Sequence, residues 1–232
     1  PRSFEVVYEF TLQAVSKLFE LGCPLVILAC NTASAKALRT IQQINLPVID
    51  ATRRVLGVIR PTAECIGEIT RSRHVGILAT AGTIKSESYL LEIHKLSPDI
   101  VVTGEACPMW VSLVENNEYQ SEGADYFVKQ HINRLLDKDP MIDTIILGCT
   151  HYPLLLDKIR QFTPGHIRII AQGEYVARSL QDYLNRHPEM DARCEKGGKC
   201  RFLTTESENK FEESASIFLG RQDIKVESIA LE

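Results

Sequence analysis

Leu25-Val26-Ile27-Leu28-Ala29-Cys30-Asn31-Thr32 runs from five apolar residues into a cysteine and two polar residues. Thr144-Ile145-Ile146-Leu147-Gly148-Cys149-Thr150-His151 repeats the pattern, with the cysteines 119 positions apart. An apolar run with no alternation reads as a strand buried on both faces, as in a parallel sheet covered by helices. The polar residues after each cysteine suit a helix start. The separation is too long for one supersecondary unit, so the repeat predicts two similar α/β units. In open α/β sheets ligands bind at the C-terminal ends of the strands, where both cysteines fall.

Elsewhere in the chain, the apolar positions Phe4, Val7, Phe10, Ala14, Leu18 and Leu21 recur at helical spacing up to Gly22. Residues 33–44 are helix-compatible, and Pro47-Val48-Ile49 reads as a short strand. Further strands are predicted at Val75–Ala79, Ile100–Val102, Thr144–Leu147, Ile167–Ile170 and Phe202-Leu203. Helices are predicted at Ser86–His94, Ala124–Leu136, Leu154–Gln161, Tyr175–Asn185 and Phe211–Leu219. Alternation of this kind argues an α/β fold with parallel sheets. Pro188 to Lys199 is polar and glycine-containing and reads as a surface loop.

Composition removes several function classes. The net charge is −4, which provides no basic surface for nucleic acid or anionic lipid. No apolar run approaches the roughly 20 residues of a membrane helix. Seven cysteines is an odd number, which argues against a disulfide-stapled secreted scaffold and for reduced, cytoplasmic thiols. The opening Pro1-Arg2-Ser3-Phe4-Glu5 is not the apolar start of a secretory leader. There is no GxGxxG and no Walker A pattern, and His187, Cys194 and Cys200 lack the usual zinc spacing. His74, His94, His131 and His166 sit among charged or turn residues and are expected at the surface.

A cysteine at a strand–helix junction lies near a helix N-terminus, whose partial positive charge lowers a thiol pKa below the usual ~8.5. Asn31-Thr32 and Thr150-His151 can hydrogen-bond a carboxylate or amine. If two units face each other, one thiolate removes a proton from a carbon while one thiol delivers a proton to its other face. That inverts a stereocentre by acid–base chemistry alone. A lone cysteine at a buried strand end is most often a small hydrophobe, the reading given to Cys23, Cys65 and Cys107. The repeat sets Cys30 and Cys149 apart. Thr80-Ala81-Gly82-Thr83 follows a strand and is either an anion-holding turn or a simple capping turn.

Ala29-Cys30-Asn31-Thr32-Ala33-Ser34 and Leu147-Gly148-Cys149-Thr150-His151-Tyr152-Pro153-Leu154 resemble the two signatures of bacterial glutamate racemases. Gly82-Thr83-Ile84-Lys85-Ser86 with Tyr89, and Cys107-Pro108-Met109-Trp110-Val111 with Leu113-Val114-Glu115, are similar to two further blocks. Phe202-Leu203-Thr204-Thr205 and Leu219-Gly220 resemble the C-terminal segment. The resemblance implies two flavodoxin-like lobes with parallel sheets, related by a pseudo-twofold, with the active site between them. One lobe would comprise residues 1–52 and 171–232, the other 53–170. The implied activity is cofactor-free, metal-free interconversion of L- and D-glutamate, supplying D-glutamate for peptidoglycan and so for cell wall and cell shape.

In that implied scheme Cys30 and Cys149 are the acid–base thiols and His151 assists its neighbour. Asn31, Thr32, Thr83, Thr150 and His151 contact substrate, and a homodimer is expected. Asp50-Ala51-Thr52-Arg53-Arg54 and Arg60-Pro61-Thr62 depart from the family's pattern after Val48-Ile49. The family's opening Asp-Ser strand and later Tyr-Gly pair are not in the chain, so Pro1 is expected to fall just past them. On that expectation these 232 residues alone are inactive or severely impaired. Two rival readings are another two-cysteine racemase or isomerase, of aspartate or hydantoin type, and a non-catalytic protein that holds acidic ligands. A thiol-redox pair is a third, and it needs Cα atoms within about 7 Å.

Overall fold

The computed structural model describes residues 3–231, so Pro1, Arg2 and Glu232 lie outside the described residues. Helix α1 (Phe4–Glu20) leads to β1 (Leu25–Leu28), α2 (Asn31–Lys36) and α3 (Leu38–Thr40). A π-helical turn (Ile41–Asn45) and α4 (Leu46–Ile49) precede β2 (Arg54–Gly57) and α5 (Ile59–Ile69). Then come β3 (His74–Ala79), α6 (Ala81–Lys85), α7 (Ser88–Leu96), β4 (Val101–Ala106), α8 (Pro108–Glu115) and α9 (Glu122–Lys138). Strand β5 (Thr144–Gly148) is followed by a 3-10 turn (Tyr152–Leu155), α10 (Leu156–Phe162), β6 (Arg168–Ala171) and α11 (Gly173–Arg186). The chain ends through α12 (Pro188–Asp191), β7 (Phe202–Thr204), α13 (Glu208–Leu219) and β8 (Val226–Ser228).

The architecture is α/β with parallel sheets. The main sheet has the order β4-β3-β5-β6, all parallel. Every residue of β5 is buried, as its unbroken apolar run requires. Trp110, Val114, Val128, Ile132 and Leu135 of α8 and α9 pack with Leu78, Ile145 and Leu147. Ile59, Ala63, Ile66, Tyr89 and Ile93 of α5 and α7 pack with Val75, Ile77 and Ile146. A second parallel pair joins β1 to β2, with Val26 and Leu28 packed on Val15 and Phe19 of α1 and on Ile41, Leu46 and Val55. The strands β7 and β8 form a third parallel pair, connected through α13. Among the described residues no helix is long and apolar enough to cross a membrane.

Three sequence expectations give way to the structure. Pro47-Val48-Ile49 is helical, not extended, with Pro47 in the first turn and Val48 fully on the outside. The turn after it is built by Asp50, whose carboxylate accepts from the Thr52 N–H at 2.9 Å and Thr52 Oγ1 at 2.6 Å. Arg53 then donates to the carbonyl of Cys23 at 3.0 Å, and the strand starts only at Arg54. This strand pairs with β1 in parallel. His131 is buried rather than exposed, on the inner face of α9 with Ala124, Val128, Ile132 and Leu135. Its Nδ1 lies 3.1 Å from Trp110 Nε1 and 2.8 Å from the Phe127 carbonyl, and burial lowers its pKa. Within the expected 188–199 loop, α12 forms and buries Met190.

Asp143, just before β5, ties the main sheet to the turn after α5. Its carboxylate accepts from Thr70 Oγ1 at 2.7 Å, the N–H groups of Arg71 and Ser72 at 2.7 and 2.6 Å, and Thr144 Oγ1 at 2.8 Å. Burial alone would raise its pKa, but these bonds outweigh it and hold the carboxyl well below the usual carboxylate range. A depressed folded-state pKa gives stability that is present above the unfolded value of ~3.9 and lost as pH falls toward the folded value. Asp143→Ala is therefore expected to cost about 1.5–3 kcal/mol at pH 7 in urea unfolding. The gap to wild type should narrow progressively below about pH 4; a gap that widens in acid would show that the carboxylate is not the stabilising form.

Candidate active site

The parallel register aligns the strand ends. Ala79 of β3 pairs with Ala106 of β4 and with Gly148 of β5, so Thr80, Cys107 and Cys149 leave the sheet at one level. Cys30 follows β1 and stands at the N-cap of α2 with extended backbone. An ideal Cβ on Gly148 would lie 3.0 Å from Ala79 Cβ and 3.1 Å from Tyr89 Cε2, so glycine lets Tyr89 pack against the strand that carries Cys149.

The two thiols sit in unequal surroundings. Both are free, Cys30 exposed and Cys149 buried. Burial pushes the Cys149 thiol up to about 11, and negative charge on Cys30 or Glu115 adds to this. The backbone N–H groups of His151 and Tyr152 oppose the rise without cancelling it. The expected lowering by a helix start therefore fails at Cys149. The chain beyond this cysteine forms a four-residue 3-10 turn, too short to build the dipole of a long helix. Burial decides, and Cys149 rests as the neutral thiol.

His151 joins that thiol to an acid. Its Nδ1 is 3.7 Å from Cys149 Sγ, and its Nε2 is 3.3 Å from Glu115 Oε1 at the end of α8. Beneath them, Tyr152 donates to the Cys107 carbonyl at 3.2 Å and stacks edge-on against Trp110, with ring centroids 4.8 Å apart. Thr150 is exposed.

Asn31 and Thr32 reach from the β1–β2 pair to the main sheet. Thr32 Oγ1 lies 2.9 Å from Thr80 Oγ1 and 3.2 Å from Thr83 Oγ1, and the latter two are 3.1 Å apart. Thr83 is buried, and Thr80 caps α6 by accepting from the Thr83 N–H at 3.3 Å. Asn31 is 2% exposed, and its Oδ1 accepts from the Tyr89 hydroxyl at 2.6 Å. Its Nδ2 is buried with no hydrogen-bond partner, the only such side-chain atom among the described residues. Buried donors of this kind cost free energy unless something accepts from them, and a carboxylate does so well.

The sequence-predicted residues fall into two groups. Cys30, Asn31, Thr32 and Thr83 gather at the contact between the two sheets' helices, while Cys149, Thr150 and His151 follow β5. Three residues here carry no role in the sequence reading. Glu115 and Tyr89 appear there only inside quoted blocks, and Gln172 not at all. Each reaches the site from a distant element, so no local spacing points to it.

Parallel α/β sheets with a cysteine past a strand end in two of them, and an unpartnered amide donor next to one, form a site equipped for acid–base chemistry. The profile of the Asp/Glu/Hydantoin racemase family matches residues 5–180. The chain belongs to this family. It is 37% identical over 232 residues to a glutamate racemase of Listeria monocytogenes, covering 100% of this chain and 84% of that one. It superposes on a glutamate racemase isoform from Bacillus anthracis with a TM-score of 0.89 and 34% identity, covering 100% of this chain and 83% of the other. A glutamate racemase from Francisella tularensis, solved with D-glutamate, matches with a TM-score of 0.85 and 26% identity, at 100% and 82% coverage.

The inequality of the two thiols has a direct readout. With iodoacetamide near pH 7.5, Cys30 is expected to be alkylated at least about tenfold faster than Cys149, by peptide mapping. Equal rates would mean that Cys149 is neither buried nor held as the thiol.

Proposed function

We propose that this protein interconverts L- and D-glutamate without a cofactor, with Cys30 and Cys149 as the two acid–base groups. The observation that carries the reading is the pairing itself: two free cysteines, each past a strand end of a separate parallel sheet, in a chain of the Asp/Glu/Hydantoin racemase family. One cysteine, as thiolate, takes the Cα proton and becomes a thiol. The other, as thiol, gives its proton to the opposite face and becomes a thiolate. The protein ends with its charge unchanged and its two protonation states exchanged, ready for the reverse reaction.

The neutral resting state of Cys149 suits it to the acid role first, with Cys30 as the base in that direction. His151 is placed to take or return the Cys149 proton, and Glu115 orients the imidazole. The unpartnered Asn31 Nδ2 supplies donors for a substrate carboxylate, with Thr32, Thr83 and Thr150 around it. The substrate class is supported by relatives that are glutamate racemases, one of them solved with D-glutamate. On this reading the product supplies peptidoglycan synthesis, and the enzyme works as a cytoplasmic homodimer. The first lobe is the part built on β1 and β2 together with the C-terminal segment, and the second is the part built on the main sheet.

The test is loss of the Cα proton in D2O, followed by NMR with glutamate, aspartate and hydantoins in parallel. The chain is assayed as it stands and with an added N-terminal Asp-Ser strand and Tyr-Gly pair. Exchange at glutamate supports the proposal; exchange confined to aspartate or a hydantoin, or none in either form, overturns it. Cys30→Ala and Cys149→Ala are each expected to lower two-way racemisation at least ~10³-fold, the size of a lost acid–base group. Full racemisation by either variant would rule out the two-thiol mechanism.

A further inference from the structure

Gln172 follows β6 and is buried, far in sequence from either cysteine. Its Nε2 lies 2.6 Å from the Tyr89 hydroxyl, 3.0 Å from the Val58 carbonyl and 3.2 Å from Thr62 Oγ1. Tyr89, on α7, then donates its hydroxyl hydrogen to Asn31 Oδ1 at 2.6 Å. The row therefore has a direction. Gln172 has two N–H groups and directs them to Val58 and Tyr89. Tyr89 has one hydrogen, and burial keeps the phenol protonated, so that hydrogen goes to Asn31.

The geometry points to Tyr89 and Gln172 as positioning residues that set which end of the Asn31 amide faces the ligand. A flipped Asn31 would offer its NH2 to a tyrosine oxygen that already accepts from Gln172. The Tyr89 hydrogen would then have no acceptor, at the cost of an unsatisfied buried group. With the observed polarity, Oδ1 is consumed and both Nδ2 hydrogens are left for a carboxylate. The relay also crosses from the main sheet to the end of β2 and back to α2, so it fixes the amide relative to both sheets at once. This inference rests on the reading that the site takes an acidic substrate.

The experiment is a double-mutant cycle on D-glutamate. Affinity is read by titration calorimetry, KM and kcat separately by Cα exchange in D2O, and folding by thermal melting. Tyr89→Phe keeps the ring and removes the relay's hydrogen. It is expected to raise Kd and KM about tenfold, the size of one oriented bond to a charged group, with kcat within about threefold. In an Asn31→Ala background the same substitution should change Kd less than about twofold, because its effect travels through Asn31. If Tyr89→Phe melts too low to assay, Gln172→Met, which removes the donor at similar volume, takes its place with the same expectations.

An unchanged Kd in Tyr89→Phe, or a full tenfold effect that persists without the Asn31 amide, overturns the relay. Binding by wild type without exchange overturns the racemase reading alone, and the affinity cycle still decides the relay. No binding of D-glutamate by wild type overturns both.

Discussion

Strand β5 constrains everything around it. Its five residues are all buried, so each face must be covered and each edge paired. The edges are taken by β3 and β6 in parallel, and parallel neighbours need crossover helices. The path from β3 to β5 runs through α7, β4, α8 and α9, and that from β5 to β6 through α10; α8, α9 and α10 cover one face, and α7 with α5 covers the other. Parallel pairing also brings all strand C-termini to one side. Thr80, Cys107 and Cys149 are consequently neighbours at the sheet's edge although 69 positions of sequence separate the first from the last. The site is a by-product of how one apolar strand is satisfied.

Burial also decides the electrostatics there. Cys149 sits over Trp110 and Tyr152, and the loss of water around it outweighs the two backbone N–H groups that favour its thiolate. Cys30 is exposed at a helix start. Cys149 is thereby kept as a thiol, and on the proposed function the two cysteines divide the acid and base roles between unlike surroundings. Glu115 works in two opposing ways. Its charge favours the protonated thiol, and its contact with His151 Nε2 turns the other imidazole nitrogen toward that thiol.

The buried strands were legible because a run such as Ile145-Ile146-Leu147 has few other ways to be satisfied. The paired cysteines were legible because the repeat places each one after such a run. Pro47-Val48-Ile49 misled because β-branched residues beside a proline look extended, while the strand that actually pairs with β1 is marked by Val55 and Leu56 after an Asp50-Thr52 turn. His131 misled because its charged neighbours hid its place on the Ala124–Val128–Leu135 stripe of α9. Gln172, Tyr89 and Glu115 were not legible as site residues at all. Their roles come from distances across 83, 58 and 36 positions of sequence, set by the sheet order and not by any local pattern.

The contacts between the two sheets divide into an adaptable part and a rigid part. Thr32, Thr80 and Thr83 form a triangle of hydroxyls, and each hydroxyl hydrogen can rotate to a new acceptor without backbone movement. Asn31 cannot adapt in this way, because turning its amide would break the row through Tyr89 to Gln172. The bonds that span the sheets, from Thr32, Tyr89 and Gln172, are each worth about 0.5–1.5 kcal/mol net, so together they hold the sheets in place by roughly a few kcal/mol. On the proposed function, a ligand carboxylate meets the Asn31 amide already oriented and threonine hydroxyls free to follow it. The amide then orients the substrate and the threonines accommodate it, with the carbon to be inverted between the strand ends that carry the thiols.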